Sequence, residues 1–400
     1  MSSANTSRHS ALYLAIDQGG HGSRAAVYTS GGQQIAQARV ACPSNRPQAG
    51  FVEQRAEDIL DSLHSCLAQI SNSLGTRTYQ LRSAGLACQG STLVCWDKIT
   101  GQPLSPVISW QDCRAAALLN TLSLPSASEL HNSTGLRLSP HYGASKFLWC
   151  LQHLEAVREA AAAQRLVLGP LASYILQSFT SANAALVDAS HAQRTLLWSL
   201  PNNNWAPDLC RAFEIETHHL PQCRDNISAF GELTIGNVQV PLSVCLRDQG
   251  ASLFGRGEPR ADSAYINLGT GAFVQRLASA SAAPAGLLLS PLLFDGAERQ
   301  CSWEATVNGA AAAMPWLTAA LDCELTPSRI DRALKEDANK PSQPRFFINT
   351  CAGLGSPYWR TDITPEFSPG LSRAEKICAW IESIIFLLHI NLQRLQTQSP

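Results

Sequence analysis

The sequence predicts an α/β protein made of two similar lobes around a cleft, and two observations lead there. A strand–glycine turn–strand unit occurs twice, and strand-like segments alternate with helix-like ones along the rest of the chain. The first unit reads Tyr13-Leu-Ala-Ile-Asp-Gln-Gly-Gly-His-Gly-Ser-Arg-Ala-Ala-Val-Tyr28, and the second Tyr265-Ile-Asn-Leu-Gly-Thr-Gly-Ala-Phe-Val-Gln-Arg276. Aligned on Tyr13 and Tyr265, Asp17 falls on Gly269, Gly19 on Gly271 and Arg24 on Arg276. Two glycine turns facing each other would offer two sets of backbone N–H groups, which suits a polyphosphate.

The elements follow in order. Leu12–Ile16, Arg24–Tyr28 and Gln34–Ala41 read as strands, with Gly31-Gly32 as a hairpin turn. Ile59, Leu60, Leu63, Leu67 and Ile70 recur at the spacing of one helical face, which predicts a helix over Ala56–Leu74. Ala84–Gln89 and Thr92–Trp96 return to strand character, and Gly101-Gln-Pro103 turns the chain. From Ala115 to Leu176 the pattern is mostly helical, broken at Pro125, Pro140 and Pro170. Pro201–Pro221, rich in Asn, Pro and His, is expected to wrap the surface. Pro241–Leu246 reads as a buried strand that ends at Arg247-Asp248-Gln249-Gly250. The Gly, Pro and charges of Gly255–Asp262 mark a boundary between domains at 11–254 and 262–400. An Ala-rich helix over Ala305–Leu321 and a last helix over Arg373–Gln396 complete the plan, which is that of an actin-like duplication.

Composition narrows the function. A chain of 400 residues holds two large domains, and 45% apolar with 15% charged residues describes an ordinary globular protein. A net charge of −1 gives no electrostatic basis for binding nucleic acid or an anionic membrane. The 13 cysteines are scattered, with no C-x-x-C pair and no zinc-finger spacing, as expected of reduced thiols. The polar N-terminus has no signal-peptide core, and Glu382, His389 and Arg394 interrupt the apolar stretch Ile377–Leu395. A cytoplasmic setting without membrane contact is the expectation.

Three places carry candidate chemistry. Asp17 ends the first strand just before Gln18-Gly-Gly-His-Gly-Ser23, where a carboxylate can hold hydrated Mg²⁺ and glycines let backbone approach phosphate. The plain alternative is a hairpin in which Asp17 caps its own backbone. Asp248 follows an apolar strand and could take the proton of an attacking hydroxyl, or simply cap the helix Ala251–Phe254. Trp110-Gln111-Asp112 and Ser145-Lys146-Phe-Leu-Trp149 combine aromatics with hydroxyl-binding groups; Trp149 reads as core. Gly269-Thr270-Gly271 alone is a tight turn, and its place in the second unit is what gives it weight. Neither a P-loop nor a G-x-G-x-x-G fingerprint occurs.

Together these residues resemble the FGGY family of carbohydrate kinases, and its glycerol kinase branch in particular. The likeness includes Ala15-Ile-Asp-Gln-Gly19, Gly50-Phe-Val-Glu53, Val94-Cys-Trp-Asp97, Thr100-Gly-Gln-Pro-Leu104 and Trp110-Gln-Asp112. It continues through Thr134-Gly-Leu136, Ala144-Ser-Lys146, Arg247-Asp-Gln249, Gly269-Thr-Gly-Ala-Phe273 and Pro357-Tyr-Trp-Arg360. The resemblance implies two ribonuclease-H-like domains of the actin/hexokinase type, with ATP and Mg²⁺ in the cleft and a polyol or sugar as acceptor. It implies Asp248 as general base, and Asp17 with Asp248 at the metal. Gly19, Gly20, His21, Gly22, Ser23, Arg24, Gly269, Thr270, Gly271, Ala311 and Pro315 would face ATP. Gln89, Gly90, Ser91, Trp110, His141, Asp248, Gln249 and Phe273 would surround the acceptor. Homodimer and homotetramer are both open as assemblies.

The departures are specific. Gly90-Ser91 stands where the branch carries an Arg-Glu pair that binds glycerol, and His141 where it carries a tyrosine. Glycine cannot imitate a bidentate guanidinium, and losing both side chains is expected to vacate room for a larger polyol or ketose. Gly20-His21-Gly22 replaces Thr-Thr-Ser, so hydroxyl donors are lost while backbone donors remain. Ala311 and Pro315 replace a glycine and a glutamine near ATP. The branch's adenosine-binding segment, a Gly-Gly turn and a helix with Asn, should follow the last helix, so the second domain is expected to be incomplete. The alternative function is a catalytically impaired relative that binds a metabolite or protein partner. A chaperone-type ATPase would leave the polyol-side motifs without purpose.

Overall fold

Leu12, Leu14 and Ile16 alternate with Tyr13, Ala15 and Asp17, a period of two that buries one strand face. The computed structural model describes residues 11–182, 184–279, 282–337, 344–351 and 353–396. In it β1 (Leu12–Gly19), β2 (Gly22–Thr29) and β3 (Gln34–Ala41) form an antiparallel meander. Helix α1 (Ala56–Leu74) buries Ile59, Leu63, Cys66, Leu67 and Ile70 on one stripe. It serves as the crossover that lets β4 (Leu81–Cys88) lie parallel to β1. With β5 (Glu232–Ile235) and β6 (Val238–Arg247) the sheet runs β5-β6-β4-β1-β2-β3, and β6 is parallel to β4.

A second sheet in this unit joins Glu53–Gln54, Val107–Ile108, Leu93–Asp97 and Leu166–Pro170. Leu166–Pro170 falls inside the stretch expected to be mostly helical, and it is a fully buried strand. A short apolar run without alternation has no helical or strand period of its own, so its partner decides. That partner is Leu93–Asp97, and a Cβ on Gly169 would lie 2.5 Å from the Trp96 ring. Helices α2 (Gly143–His153) and α3 (Leu171–Phe179) pack on these strands, α4 (Ala189–Gln193) lies against β6, and α5 (Asp248–Ala251) follows β6. Pro201–Pro221 does more than wrap the surface, because it buries Leu209, Cys210, Phe213 and Ile215. Its polar residues hid that apolar spacing.

The first compact unit is Met1–Gly255 with Pro291–Gln300, and the second is Arg256–Ser290 with Cys301–Pro400. Another sheet has the order β7-β8-β10-β9, from β7 (Tyr265–Leu268), β8 (Ala272–Leu277), β9 (Leu288–Asp295) and β10 (Glu298–Val307). Helices α6 (Met314–Leu321), α7 (Pro327–Asp337) and α8 (Arg373–Gln396) share a core of Leu317, Leu321, Ala333, Ile377 and Trp380. The expected helix Ala305–Leu321 begins only at Met314, after a 3₁₀ turn at Ala311–Ala313. Ala305 and Val307 belong to β10, paired with Val274 and Ala272. Alanine's helix preference yields there to sheet pairing.

The repeat also has a different register from the tyrosine alignment. Gly19 pairs with Gly22 across a two-residue turn, whereas Leu268 pairs with Ala272 across Gly269-Thr270-Gly271. By turn position Gly19 is therefore the equivalent of Leu268, not of Gly271. Arg24 faces Asp17, while Arg276 lies beyond the paired end of β7.

Candidate active site

The parallel strands β1, β4 and β6 end in one row. Gln18 pairs with Cys88 and Cys88 with Arg247, so Gly19, Gln89 and Asp248 come next along one sheet edge. Ligands bind at the C-terminal ends of parallel strands because that is where loops and unpaired backbone groups gather. The edge brings together three parts of the predicted site that lie far apart in sequence.

Gln89 braces the glycine turn. Its Nε2 donates to Gln18 Oε1 (3.0 Å), Gln54 Oε1 (3.4 Å) and the Gly19 carbonyl (3.5 Å), and its Oε1 accepts from Thr92 Oγ1 (2.9 Å). Gln54 Nε2 reaches the Gly20 carbonyl at 3.4 Å. Gln89, expected at the acceptor, thus spends its amide on the turn. Ser23 needs a similar correction: it is buried, and its hydroxyl pairs with Ser62 Oγ at 2.7 Å in the core. The outward groups of this turn are the backbone of Gly19–Gly22 and the exposed side chains of His21 and Arg24.

Asp17 and Asp248 are the carboxylates of the edge. Packing around Asp17 raises its pKa against the pull of Arg24 and Arg39, although the residue keeps an open face. Asp248 is half-buried, and burial raises it too, opposed by Arg247, the Gln249 N–H and His191, with Asp17 adding to the rise. Its Oδ1 accepts from the Gln249 amide at 2.7 Å, so it opens α5 rather than capping Ala251–Phe254. The Asp17 charge raises Asp248, and two carboxylates at one edge fit a small hard cation, which takes one or two carboxylates and completes its shell with water and phosphate.

A buried ion pair under this edge gave no sequence signal beyond Asp188 and His191 standing three residues apart. Asp188 Oδ1 caps α4, accepting from the amides of Ser190 (2.9 Å) and His191 (3.3 Å), from Ser190 Oγ (2.5 Å) and from Asn226 Nδ2 (2.8 Å). His191 Nδ1 pairs with Asp188 Oδ2, and Nε2 meets the Cys88 carbonyl at 3.1 Å. Both ring nitrogens face acceptors, which calls for the imidazolium. Burial pushes His191 down, but Asp188 and the carbonyl outweigh it and raise the pKa. Burial lifts Asp188, and His191 and Ser190 bring it below its usual range. Ser190 Oγ also accepts the Arg247 amide (2.9 Å), so the pair anchors the residue before Asp248.

Linkage fixes the pH dependence of this pair. The raised His191 contributes stability in full below its ordinary 6.5 and loses it as pH climbs through the raised value. The depressed Asp188 contributes above 3.8 and loses its share as pH falls through the lowered value. Thermal melts should therefore show an alkaline decline that starts above pH 6.5 and is absent in His191→Asn. The same decline in the variant would contradict the assignment.

The acceptor side holds a second correction. The space expected to be vacated at Gly90 is filled, because a Cβ there would lie 2.5 Å from Arg247 Cδ and 2.9 Å from Cγ. Arg247 and Arg194 are both buried beside it. Gly90→Ala should cost about 1–3 kcal/mol by overpacking. Urea unfolding should show a smaller cost in an Arg247→Ala background, and strict additivity would contradict the contact. Ser91 takes the left-handed conformation, φ 60°, which for a residue with a side chain is stored strain. Trp110 meets His141 edge-on at 5.4 Å, and a Cβ on Gly20 would sit 3.8 Å from Trp110 Nε1. Asp112 is unavailable to a hydroxyl, since it is fully buried and engaged by Arg114 (2.8 Å) and the Val52 amide (2.6 Å). Trp149 is half-buried, edge-on to Phe51, with Arg114 above both rings.

In the second unit the 3₁₀ turn braces the glycine loop. Ala312 N donates to the Thr270 carbonyl (2.8 Å) and Ala311 N to Gly269 (3.3 Å), while the Gly269 amide bonds the Gly271 carbonyl (2.9 Å). Gly309, just before, takes donors from Asn349 (2.9 Å) and Trp380 (3.2 Å) on its carbonyl. Phe273 lies in β8 opposite Asn267, and a Cβ on Gly271 would touch its ring at 3.5 Å. Pro315 opens α6. Gly269, Thr270, Gly271 and Ala311 are thus one built loop.

This fold is that of the actin/hexokinase-like sugar kinases. Glycerol kinase from Plasmodium falciparum with ADP superposes with TM-score 0.83 at 21% identity, over 96% of this chain and 78% of that one. A xylulose kinase from Brucella ovis gives 0.81 at 20%, over 96% and 79%. The likeness is one of fold. The family of carbohydrate kinases named FGGY has an N-terminal domain model that matches residues 12–255, and this chain belongs to that family. The glycerol kinase of Ralstonia nicotianae is 32% identical over 398 residues, 96% of this chain and 78% of that protein. Among the described residues no helix is long and apolar enough to cross a membrane.

Proposed function

We propose that this chain transfers the γ-phosphoryl group of ATP to a hydroxyl of a small polyol or sugar other than glycerol, with Asp248 as general base. The observation behind this reading is the common edge of β1, β4 and β6, where the glycine turn, Gln89–Ser91 and Asp248 stand in one row. A lone pair of the acceptor oxygen forms the new P–O bond as the bond from γ-phosphorus to the bridging oxygen breaks. Its electrons leave on ADP, and the hydroxyl proton passes to Asp248. A carboxylate raised from its ordinary 3.8 is a better match to that task than an unperturbed one.

The Gly19–Gly22 backbone and Arg24 receive phosphate oxygens, and Gly269, Thr270, Gly271, Ala311 and Pro315 serve the nucleotide. Gly90, Ser91, Trp110, His141, Gln249 and Phe273 contact the acceptor, and Gln89 holds the turn. Asp17 and Asp248 are the carboxylates for Mg²⁺, whose charge would lower the cost of bringing phosphate oxygens beside them. Residues 11–254 thus carry the acceptor side and the first phosphate turn and 262–400 the ATP side, and the cytoplasm, where ATP is made available, is the working place. One observation favours the impaired-relative reading: the first turn offers no outward hydroxyl, since Ser23 faces the core.

An acceptor screen tests the proposal. ATP consumption with Mg²⁺ should rise with a polyol or ketose and stay lower with glycerol. Glycerol as the best acceptor would overturn the substrate reading, and no acceptor-dependent turnover would favour the impaired relative.

A further inference from the structure

Lys146 lies on α2 and is fully buried, an unusual fate for lysine. Among the described residues no carboxylate bonds its Nζ. The ammonium instead donates to three backbone carbonyls, of Ser109 (2.8 Å), His141 (2.9 Å) and Ser91 (3.4 Å). These belong to three separate chain segments. Ser91 follows Gly90 at the end of β4, Ser109 precedes Trp110, and His141 meets the Trp110 ring. Each segment carries one residue of the proposed acceptor site, and the loop at Ser91 is held in a strained backbone conformation.

We propose that Lys146 is the positioning residue of the acceptor site, a single ammonium that clamps the Ser91, Trp110 and His141 segments in register and so sets acceptor affinity. The proposal rests on the kinase reading above. Three carbonyls need three N–H donors, and among side chains of this shape only a charged lysine supplies three from one atom. Burial brings Lys146 down from 10.5 to about 7, with Asp112, Cys113 and Cys150 pulling it up and Arg114 pushing it down. These come from the loop after Trp110 and from α2 itself; His141 contributes its carbonyl. Above that pH the amine has two N–H groups for three carbonyls, and one segment loses its tether. The clamp therefore weakens as pH rises.

The test compares the protein with Lys146→Met, which keeps the length and removes the donors. The acceptor KM should rise about 10- to 100-fold, the loss typical of misplaced contacts, with kcat and the KM for ATP changed by less than about threefold. In the unsubstituted protein the acceptor KM should climb as pH passes about 7, and the variant should have lost that dependence. An unchanged acceptor KM in the variant overturns the proposal, as does a loss confined to kcat. Should the variant not fold, the pH series on the unsubstituted protein decides: a flat acceptor KM from pH 6 to 8.5, a span about the 7 expected for Lys146, overturns it. If no acceptor is ever phosphorylated, the kinase reading fails separately, and hydrogen exchange judges the clamp. Exchange in Lys146→Met should quicken in peptides spanning Gln89–Thr92, Ser109–Gln111 and Ser139–Tyr142 and not in the second unit. Unchanged exchange in all three overturns the clamp.

Discussion

Asp248→Asn should lower kcat for acceptor phosphorylation by about 10²- to 10⁴-fold, the range that a positioned general base supplies. Asparagine keeps the shape and can still accept the Gln249 amide, which lies 2.7 Å from Oδ1, so the start of α5 is preserved. What it cannot do is take a proton. Melting temperature should therefore stay close to that of the unsubstituted protein, which separates lost chemistry from lost structure. The pH profile gives a second readout. Because burial raises Asp248 above 3.8, the acidic limb of kcat/KM should lie above the ordinary carboxylate range, with activity falling as pH drops through it. A variant with full kcat would remove Asp248 from the base role.

Gly22→Ala is expected to have the next largest effect. A Cβ there would lie 2.4 Å from the Val40 carbonyl oxygen and 3.1 Å from Ala41 Cα, both backbone atoms of β3. Gly22 pairs with Ala41, and the Cys42 amide bonds the His21 carbonyl at 3.0 Å, so the strands cannot part without loosening the turn. The substitution should cost about 1–3 kcal/mol of stability, as overpacking does. It should also raise the KM for ATP by about tenfold or more, because donors tilted off a phosphate lose their aim. Gly20→Ala is the control: its Cβ would meet nothing nearer than 3.7 Å, an ordinary contact. Denaturant unfolding and the KM for ATP check both, and equal behaviour of the two variants would contradict the turn geometry.

The sequence made some of this legible and hid the rest for physical reasons. Gln34–Ala41, Ala56–Leu74 and Arg373–Gln396 could be bounded to the residue, because alternation or a helical stripe persists long enough to identify itself. Leu166–Pro170 could not, since a fully buried run has no period, and Ala305 was taken into β10 by pairing that propensity does not foresee. At the site, Asp17, Asp248 and the two glycine turns stood out as residue types at strand ends. The direction of Ser23 and the filling of Gly90's space by Arg247 depend on contacts 39 and 157 positions apart, and the capture of Asp112 by Arg114, two positions on, depends on the burial of both side chains. The burial of Lys146 and the pairing of Asp188 with His191 were not legible, because buried charge looks in sequence like surface charge.

In the proposed reaction Asp248 stands at the reacting hydroxyl. A crystal structure of the chain with Mg²⁺, a non-hydrolysable ATP analogue and the best acceptor from the screen tests this most directly. One acceptor hydroxyl should lie within about 2.6–3.2 Å of an Asp248 carboxylate oxygen, with the analogue's phosphates on the Gly19–Gly22 backbone. An acceptor bound with its hydroxyls turned from Asp248, or phosphates seated away from that turn, would contradict it.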